Sequence, residues 1–401
     1  MPGCSYEVIL RSVSVVTVGR SDYGIFLPIL RGLSEHPDLE LRIIATGAHL
    51  SPEFGSTVNL IEEDGFEVSD RVDMLSGSDT PEGIARSMGQ GTIGFAQLYS
   101  RSQPDLLMVL GDRFETLAAV SASLPFNIPV AHIHGGESTQ GAIDEAIRHS
   151  LTKMSHLHFV SHEIHAKRVI QMGEEPWRVV VSGAPALDNL RELPLLSREE
   201  LKESHGLDLR NPTLLVTYHP VTLEYRDTRC HMEQLLSALD QVEMDVVFTH
   251  PNADTSSSTI TQMIQEYVMR HEGSQLAVNL GTQAYFSTMN QVAAMVGNSS
   301  SGIIEAASFR MPVVDIGERQ RGRLRGENVI DVGNSKAEVI KGIKKAVSPR
   351  FRKGLAGLQN PYGDGYAANK IIETLRDVDL GPGLLIKRFY DQGEIETVSR
   401  G

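Results

Sequence analysis

Val296-Gly297-Asn298-Ser299-Ser300-Ser301-Gly302-Ile303-Ile304-Glu305 spells out a strand, a turn and a helix start in ten residues. The apolar run 293–296 stops at a turn of small polar residues, and an Ile/Ala pattern at helical spacing resumes beyond it. A buried strand feeding a tight turn and a helix follows from that order. Such a turn points backbone N–H groups and the positive end of a helix dipole at one spot, where anions bind. Serine hydroxyls add donors, and Glu305, about one turn in, is placed to accept from sugar hydroxyls. The stretch therefore reads as a cradle for a phosphorylated ligand. An N-cap serine cluster without a ligand is the plain alternative.

The same rhythm spreads outward from this unit. In the second half, strands at 214–218, 246–249, 276–279, 294–296 and 312–316 alternate with helical patterns at 231–239, 260–270 and 300–308. A Lys-rich helix at 336–347 and an amphipathic helix at 367–375 follow. In the first half, strands at 13–18, 41–46, 106–110, 130–134, 157–160 and 179–181 alternate with helices at 23–33, 84–99, 114–124, 143–154 and 164–172. This is the βαβ alternation of doubly wound parallel sheets. It breaks near Gly183-Ala184-Pro185, and a polar stretch at 188–210 reads as a linker with some helix. The expected architecture is α/β: one Rossmann-like domain at 12–185 and a second at 205–360, facing a cleft, with tails at 1–11 and 383–401. Ligands of such sheets bind beyond the carboxyl ends of the strands.

A chain of 401 residues exceeds one comfortable core, which agrees with two domains. A net charge of −14 argues against nucleic acid or an anionic membrane as the main partner. Two isolated cysteines, Cys4 and Cys230, give neither a disulfide framework nor a zinc site, so a cytoplasmic location is expected. No apolar run reaches the roughly 18 residues of a membrane helix.

Charged residues gather at the expected strand ends. Gly111-Asp112-Arg113 follows 106–110, offering a carboxylate for proton transfer and an arginine for phosphate. His132-Ile133-His134-Gly135-Gly136-Glu137 follows, and strand alternation would put His132 and His134 on one face. His132 reads as a core histidine, while His134 and Glu137 are site candidates. Asp144 and Arg148, four apart on one helix face, join them. Arg20 follows the first strand, where Asp22 is a candidate N-cap. His219-Pro220 and His250-Pro251 end two strands of the second half. Arg319, Arg321, Arg323 and Arg325 form a basic loop that gathers positive charge in an acidic chain.

Two patterns are decoys. Gly89-Gln90-Gly91-Thr92-Ile93-Gly94 is a literal GxGxxG, but it sits inside a helical pattern rather than after a strand. Seven histidines between His132 and His165 invite a metal, yet no HExxH occurs, and His158 and His162 straddle a strand-to-helix boundary. No metal and no cofactor is expected.

Taken in order, Arg20-Ser-Asp-Tyr23, Gly111-Asp-Arg113, Gly135-Gly-Glu137, Ile143-Asp-Glu-Ala-Ile-Arg-His149, His219-Pro-Val-Thr222, Pro251-Asn252, Gly297-Asn-Ser-Ser300 with Glu305, and Gly326-Glu-Asn328 resemble the UDP-N-acetylglucosamine 2-epimerase family, and more closely its hydrolysing branch. The resemblance runs from about Val13 to Leu375. It implies a GT-B fold, with the last helix, about 365–378, crossing back to complete the first domain. It implies a nucleotide-sugar substrate and a homodimer or homotetramer. It assigns Arg20, Arg113, His219, Asn252, Ser299, Ser300, Glu305 and Arg319 to the nucleotide and its diphosphate, and Asp112, Asp144 and Arg148 to the reacting sugar. Asp112 and Asp144 are then expected as proton-transfer groups and Arg148 as their orienter, with His134 or Glu137 helping to deliver water.

One departure stands out. Well-studied members carry His-Ile-Glu-Gly-Gly-Glu where this chain has His134, a form resembling enzymes of 2,4-diacetamido sugars. The implied reaction is hydrolysing epimerisation of UDP-N-acetylglucosamine to N-acetylmannosamine and UDP, with a UDP- or GDP-2,4-diacetamido-2,4,6-trideoxyhexose as the alternative substrate. A GT-B glycosyltransferase and a non-catalytic nucleotide-sugar sensor are the rival classes.

Overall fold

The computed structural model describes residues 10–52, 55–78, 80–139, 143–221, 227–250, 257–277 and 280–392. They form two compact units. One comprises the residues up to Glu137, Ile143–Asp188 and those from Gly365 onward; the other comprises Asn189–Asp364 with Ser138 and Thr139.

The first unit is a parallel seven-stranded sheet. Its strands are β1 (Arg11–Thr17), β2 (Leu39–Thr46), β3 (Val68–Val72), β4 (Leu106–Leu110), β5 (Val130–Ile133), β6 (Leu157–Val160) and β7 (Val179–Val181), in the order β3-β2-β1-β4-β5-β6-β7. The order reverses between β1 and β4, and that is where a doubly wound sheet opens a crevice. β4 reads Leu-Leu-Met-Val-Leu and is buried along its whole length, as expected of a strand covered by helices on both faces. The sequence pattern missed β3, whose Ser-Asp-Arg centre carries no apolar run.

Helix Arg20–Ser34 begins three residues earlier than its apolar pattern. Its N-cap is Gly19, so Asp22 lies within the first turn and is not the cap. Helix Ala367–Asp377 packs against this helix at Gly32, where a Cβ would fall 2.2 Å from Ile372 Cδ1. Asp188 caps that last helix, accepting from the N–H groups of Ala367 and Ala368 at 3.0 and 2.7 Å.

Residues 383–392, patternless in sequence, are packed onto the same unit. Leu384 is buried, and the buried Arg178 guanidinium donates to the carbonyls of Gly383, Leu384 and Ile386 at 3.1, 2.8 and 3.1 Å. The GxGxxG segment lies inside helix Pro81–Arg101.

The second unit holds a parallel six-stranded sheet: β8 (Thr213–Thr217), β9 (Asp245–Thr249), β10 (Ser274–Ala277), β11 (Ala294–Gly297), β12 (Val313–Ile316) and β13 (Val329–Val332), in the order β10-β9-β8-β11-β12-β13. Its reversal falls between β8 and β11. The opening stretch of sequence is thus β11, the switch-point turn, the short helix Ser300–Ile304 and a 3-10 turn at Ala306–Phe309. The expected linker contains helices Asn189–Glu192 and Arg198–His205. Among the described residues, no helix is long and apolar enough to cross a membrane. The fold is two Rossmann-like α/β sheets with the last helix returned to the first, which is the GT-B-like class expected from sequence.

Candidate active site

In the first unit, the loops after β1, β4 and β5 carry the candidate residues. Gly111 turns the chain after β4 with φ of 75°, a conformation glycine adopts freely. Asp112 follows and accepts from the guanidinium of Arg148, whose side chain is almost fully buried. Arg148 comes from helix Ile143–Met154 and also lies 3.7 Å from Glu145. Two sequence candidates 36 residues apart are thereby brought together. A buried guanidinium beside a carboxylate fixes its orientation.

Arg113 opens helix Phe114–Ser123 and lies 3.4 Å from the buried Glu115. Glu115 foremost, with Asp22 and Asp144, holds Arg113 firmly protonated against the cost of burial. Burial pushes the Asp22 carboxyl up to about 6, opposed by Arg113. Asp144 thus acts electrostatically on Arg113, placing it with the same group. Asp22 and Glu115 were not read from sequence as site residues, because only folding puts them beside Arg113. Arg20 is exposed at the start of its helix.

His134 corrects the alternation argument. β5 ends at Ile133, and His134 adopts φ of 65°, a left-handed conformation uncommon outside glycine. It therefore does not share a strand face with His132. Its backbone N–H is pinned to the Phe159 carbonyl at 3.0 Å, and its Nδ1 lies 2.6 Å from Glu137 Oε1. Both residues are buried. His132 is the core histidine expected, fully buried with Nε2 2.8 Å from the Gly111 carbonyl, and burial lowers it to about 3. His158 lies in β6 and His162 caps helix Glu163–Gln171. Among the described residues, no group of three His, Cys, Asp or Glu is arranged to hold a metal.

In the second unit, the loops after β8 and β11 are locked together. Asn298 accepts from the His219 N–H at 2.7 Å and donates to the His219 carbonyl at 2.9 Å. Its own carbonyl accepts from Arg319 at 3.1 Å and Gln320 at 2.8 Å. Gly297 is required at this crossing: a Cβ would sit 1.9 Å from the Thr217 carbonyl oxygen, at φ of 139°. Burial, then Arg319, lowers His219 to about 3, so its ring is neutral near pH 7.

Ser299 caps helix Ser300–Ile304, accepting from the Ser301 N–H at 3.3 Å, and Glu305 ends it. Burial pushes the phenol of Tyr285, missed in sequence, up to about 12, opposed by the neighbouring hydroxyls of Ser301, Thr217 and Ser299. Of the basic loop, Arg325 is tied to Asp315 and Asp331, and Arg321 pairs with Glu318. His219, Ser299, Ser300, Glu305 and Arg319 therefore lie around one switch point. Asn252 lies outside the described residues.

A family model described as UDP-N-acetylglucosamine 2-epimerase matches residues 31–376. The chain is 39% identical over 384 residues to a GDP/UDP-N,N'-diacetylbacillosamine 2-epimerase (hydrolyzing) of Campylobacter jejuni, covering 95% of this chain and 99% of that protein. It is 34% identical over 379 residues to a UDP-N,N'-diacetylbacillosamine 2-epimerase (hydrolyzing) of Legionella pneumophila, covering 94% and 99%. In fold it is similar to the crystal structure of UDP-GlcNAc 2-epimerase from Neisseria meningitidis bound to UDP-GlcNAc, with a TM-score of 0.79 at 18% identity, covering 91% of this chain and 99% of that one. The chain belongs to the UDP-N-acetylglucosamine 2-epimerase family.

Proposed function

We propose that this protein is a hydrolysing nucleotide-sugar 2-epimerase whose substrate is a nucleoside-diphosphate-linked 2,4-diacetamido-2,4,6-trideoxyhexose of the N,N'-diacetylbacillosamine type. The observation that carries the reading is the near full-length similarity to two hydrolysing enzymes named for that sugar, at 39% and 34% identity. His134, where well-studied enzymes of UDP-N-acetylglucosamine have Glu, supports the same substrate. The sequence reading put UDP-N-acetylglucosamine first; these relatives favour its alternative.

In this reading the C2 proton is removed and the anomeric C1–O bond breaks. The nucleoside diphosphate leaves, and C1 and C2 become doubly bonded. Water then returns a hydroxyl to C1 and a proton to the opposite face of C2, giving the free 2-epimerised sugar. Charge developing on the departing diphosphate calls for fixed donors and cations. Ser299, Ser300, His219 and Arg319 in the second unit are suited to that, with Arg20 and Arg113 in the first. Asn252 is assigned to the same task by resemblance, and Glu305 to the sugar hydroxyls of the nucleotide. The weakly acidic C–H calls for a positioned base. Asp112, oriented by Arg148, and Asp144 serve as the proton-transfer pair, and His134 with Glu137 handles the water.

The test is incubation in deuterated water with the UDP and GDP forms of the diacetamido sugar and with UDP-N-acetylglucosamine. Stoichiometric nucleoside diphosphate and a free sugar carrying deuterium at C2 are expected, with the highest kcat/KM on a diacetamido substrate. An intact epimerised nucleotide sugar as sole product would overturn the hydrolytic reading. Preference for UDP-N-acetylglucosamine would overturn the substrate.

A further inference from the structure

His134 and Glu137 belong to a longer chain of contacts that the proposed reaction leaves unused. Ser161, just past β6, donates its hydroxyl to Glu137 Oε1 at 3.0 Å, and the same hydroxyl oxygen lies 2.9 Å from His165 Nδ1. All four residues are buried, with His134 8% exposed and the others 3% or 4%. Helix Glu163–Gln171 is pressed onto the turn that carries His134. A Cβ at Gly136 would lie 2.5 Å from the His165 carbonyl oxygen, and Arg168 donates to the Gly136 carbonyl.

The donors and acceptors can be counted along this line. Ser161 has one hydroxyl proton and two neighbours able to accept it. An ionised carboxylate is the stronger acceptor. The proton therefore goes to Glu137, and His165 must carry its own proton on Nδ1 to satisfy the contact. Burial lowers His165 to about 4, so its ring is neutral near pH 7 and holds one proton, on that nitrogen. Glu137 Oε1 then receives a second donor, His134 Nδ1–H. That leaves Nε2 as the ring nitrogen of His134 outside this line of contacts. The left-handed backbone of His134 is strain of a kind that persists at functional sites when the surroundings over-determine it. Here the Phe159 carbonyl and the helix of His165 supply those surroundings.

We propose that Ser161 and His165 are positioning residues that act through Glu137 to hold His134 in its Nδ1–H tautomer, with Nε2 presented for proton exchange at the reacting sugar or its water. The catalytic part of this inference rests on the proposed function; the tautomer does not.

The test uses full-length protein labelled with 15N-histidine. The His134 signals are assigned by their loss in His134→Gln. A protonated-type Nδ1 and a pyridine-type Nε2 are expected, and the reverse pattern would overturn the proposal whether or not any nucleotide sugar is turned over. In Ser161→Ala the His134 signals should move toward a mixture of tautomers. On the active substrate, kcat should fall about tenfold or more while KM changes little, as for other groups that orient a working side chain. Ser161→Thr, which keeps the hydroxyl, should recover both the spectrum and kcat. His165→Gln gives a second route should Ser161→Ala fold poorly, with the same spectral change expected. Unaltered His134 signals in folded Ser161→Ala and His165→Gln would sink the positioning role.

Discussion

Asp112 is where charge and shape can be separated at a single residue. Asp112→Asn keeps the side-chain volume beside Arg148 but removes the negative charge that the guanidinium faces. Loss of a proton-transfer group is expected to cost about 10²–10⁴-fold in kcat. Binding of the nucleoside diphosphate should persist, because the groups proposed to grip it are elsewhere. Steady-state turnover together with calorimetric titration of UDP checks both halves, and near-normal kcat would remove Asp112 from the chemistry. Local pattern marked Asp112 and Arg148 separately, as a strand-end carboxylate and a helix residue, and the family resemblance joined them with Arg148 as orienter. Their contact spans 36 positions and required the packing of helix Ile143–Met154 against β5 and helix Phe114–Ser123. His134 was marked too, but on a face argument that failed. Alternation holds only while the backbone stays extended, and the backbone leaves that state at His134 itself.

At the scale of elements, apolar runs were legible and polar strands were not. β4, β8 and β11 announce themselves because both faces are covered by helices. β3 and β13 lie at sheet edges, carry Ser-Asp-Arg and a lone Asp, and were missed. The segment beyond Pro382 was missed for another reason: its order comes from Arg178 rather than from its own pattern. That guanidinium also donates to the His156 carbonyl at 3.2 Å and pairs with Glu175 at 2.9 Å. Arg178→Ala should lower unfolding free energy by about 3–5 kcal/mol, since it breaks a buried, fully engaged cation. Denaturant midpoints measure the loss, and limited proteolysis should show faster cleavage within 383–392. An unchanged midpoint would mean that the segment is held by Leu384 and its apolar contacts instead.

At the scale of the whole molecule, the two units should respond differently to acid. In the first, burial lowers His49, His156 and His165 to about 4 and His132 to about 3, and it also lowers His158. A histidine that binds its proton more weakly when folded favours the unfolded chain as pH falls below 6.5, until its folded value is reached. Asp22, raised to about 6, opposes this, because the folded form takes up its proton first between about 6 and 3.8. Among the described residues, these five groups act against one. Among the described residues of the second unit, one lowered histidine, His219, faces one raised carboxyl, Asp315 at about 7, and the two largely offset. The first unit should therefore lose stability more steeply from pH 7 to about pH 5. Trp177, the only tryptophan, lies in that unit and reports its unfolding by fluorescence, while circular dichroism follows both units. A Trp177 midpoint that does not move over this range would refute the prediction. The sequence by itself determined the class of fold, the two-sheet organisation and the family, because βα periodicity and short strand-end motifs are local and survive being read in one dimension. Only the tertiary structure put these residues in contact: Asp112 with Arg148, Asn298 with His219, and Glu137 with Ser161, which the sequence did not mark. Those pairings depend on strand order and helix docking, where residues far apart in the chain are brought within hydrogen-bond distance.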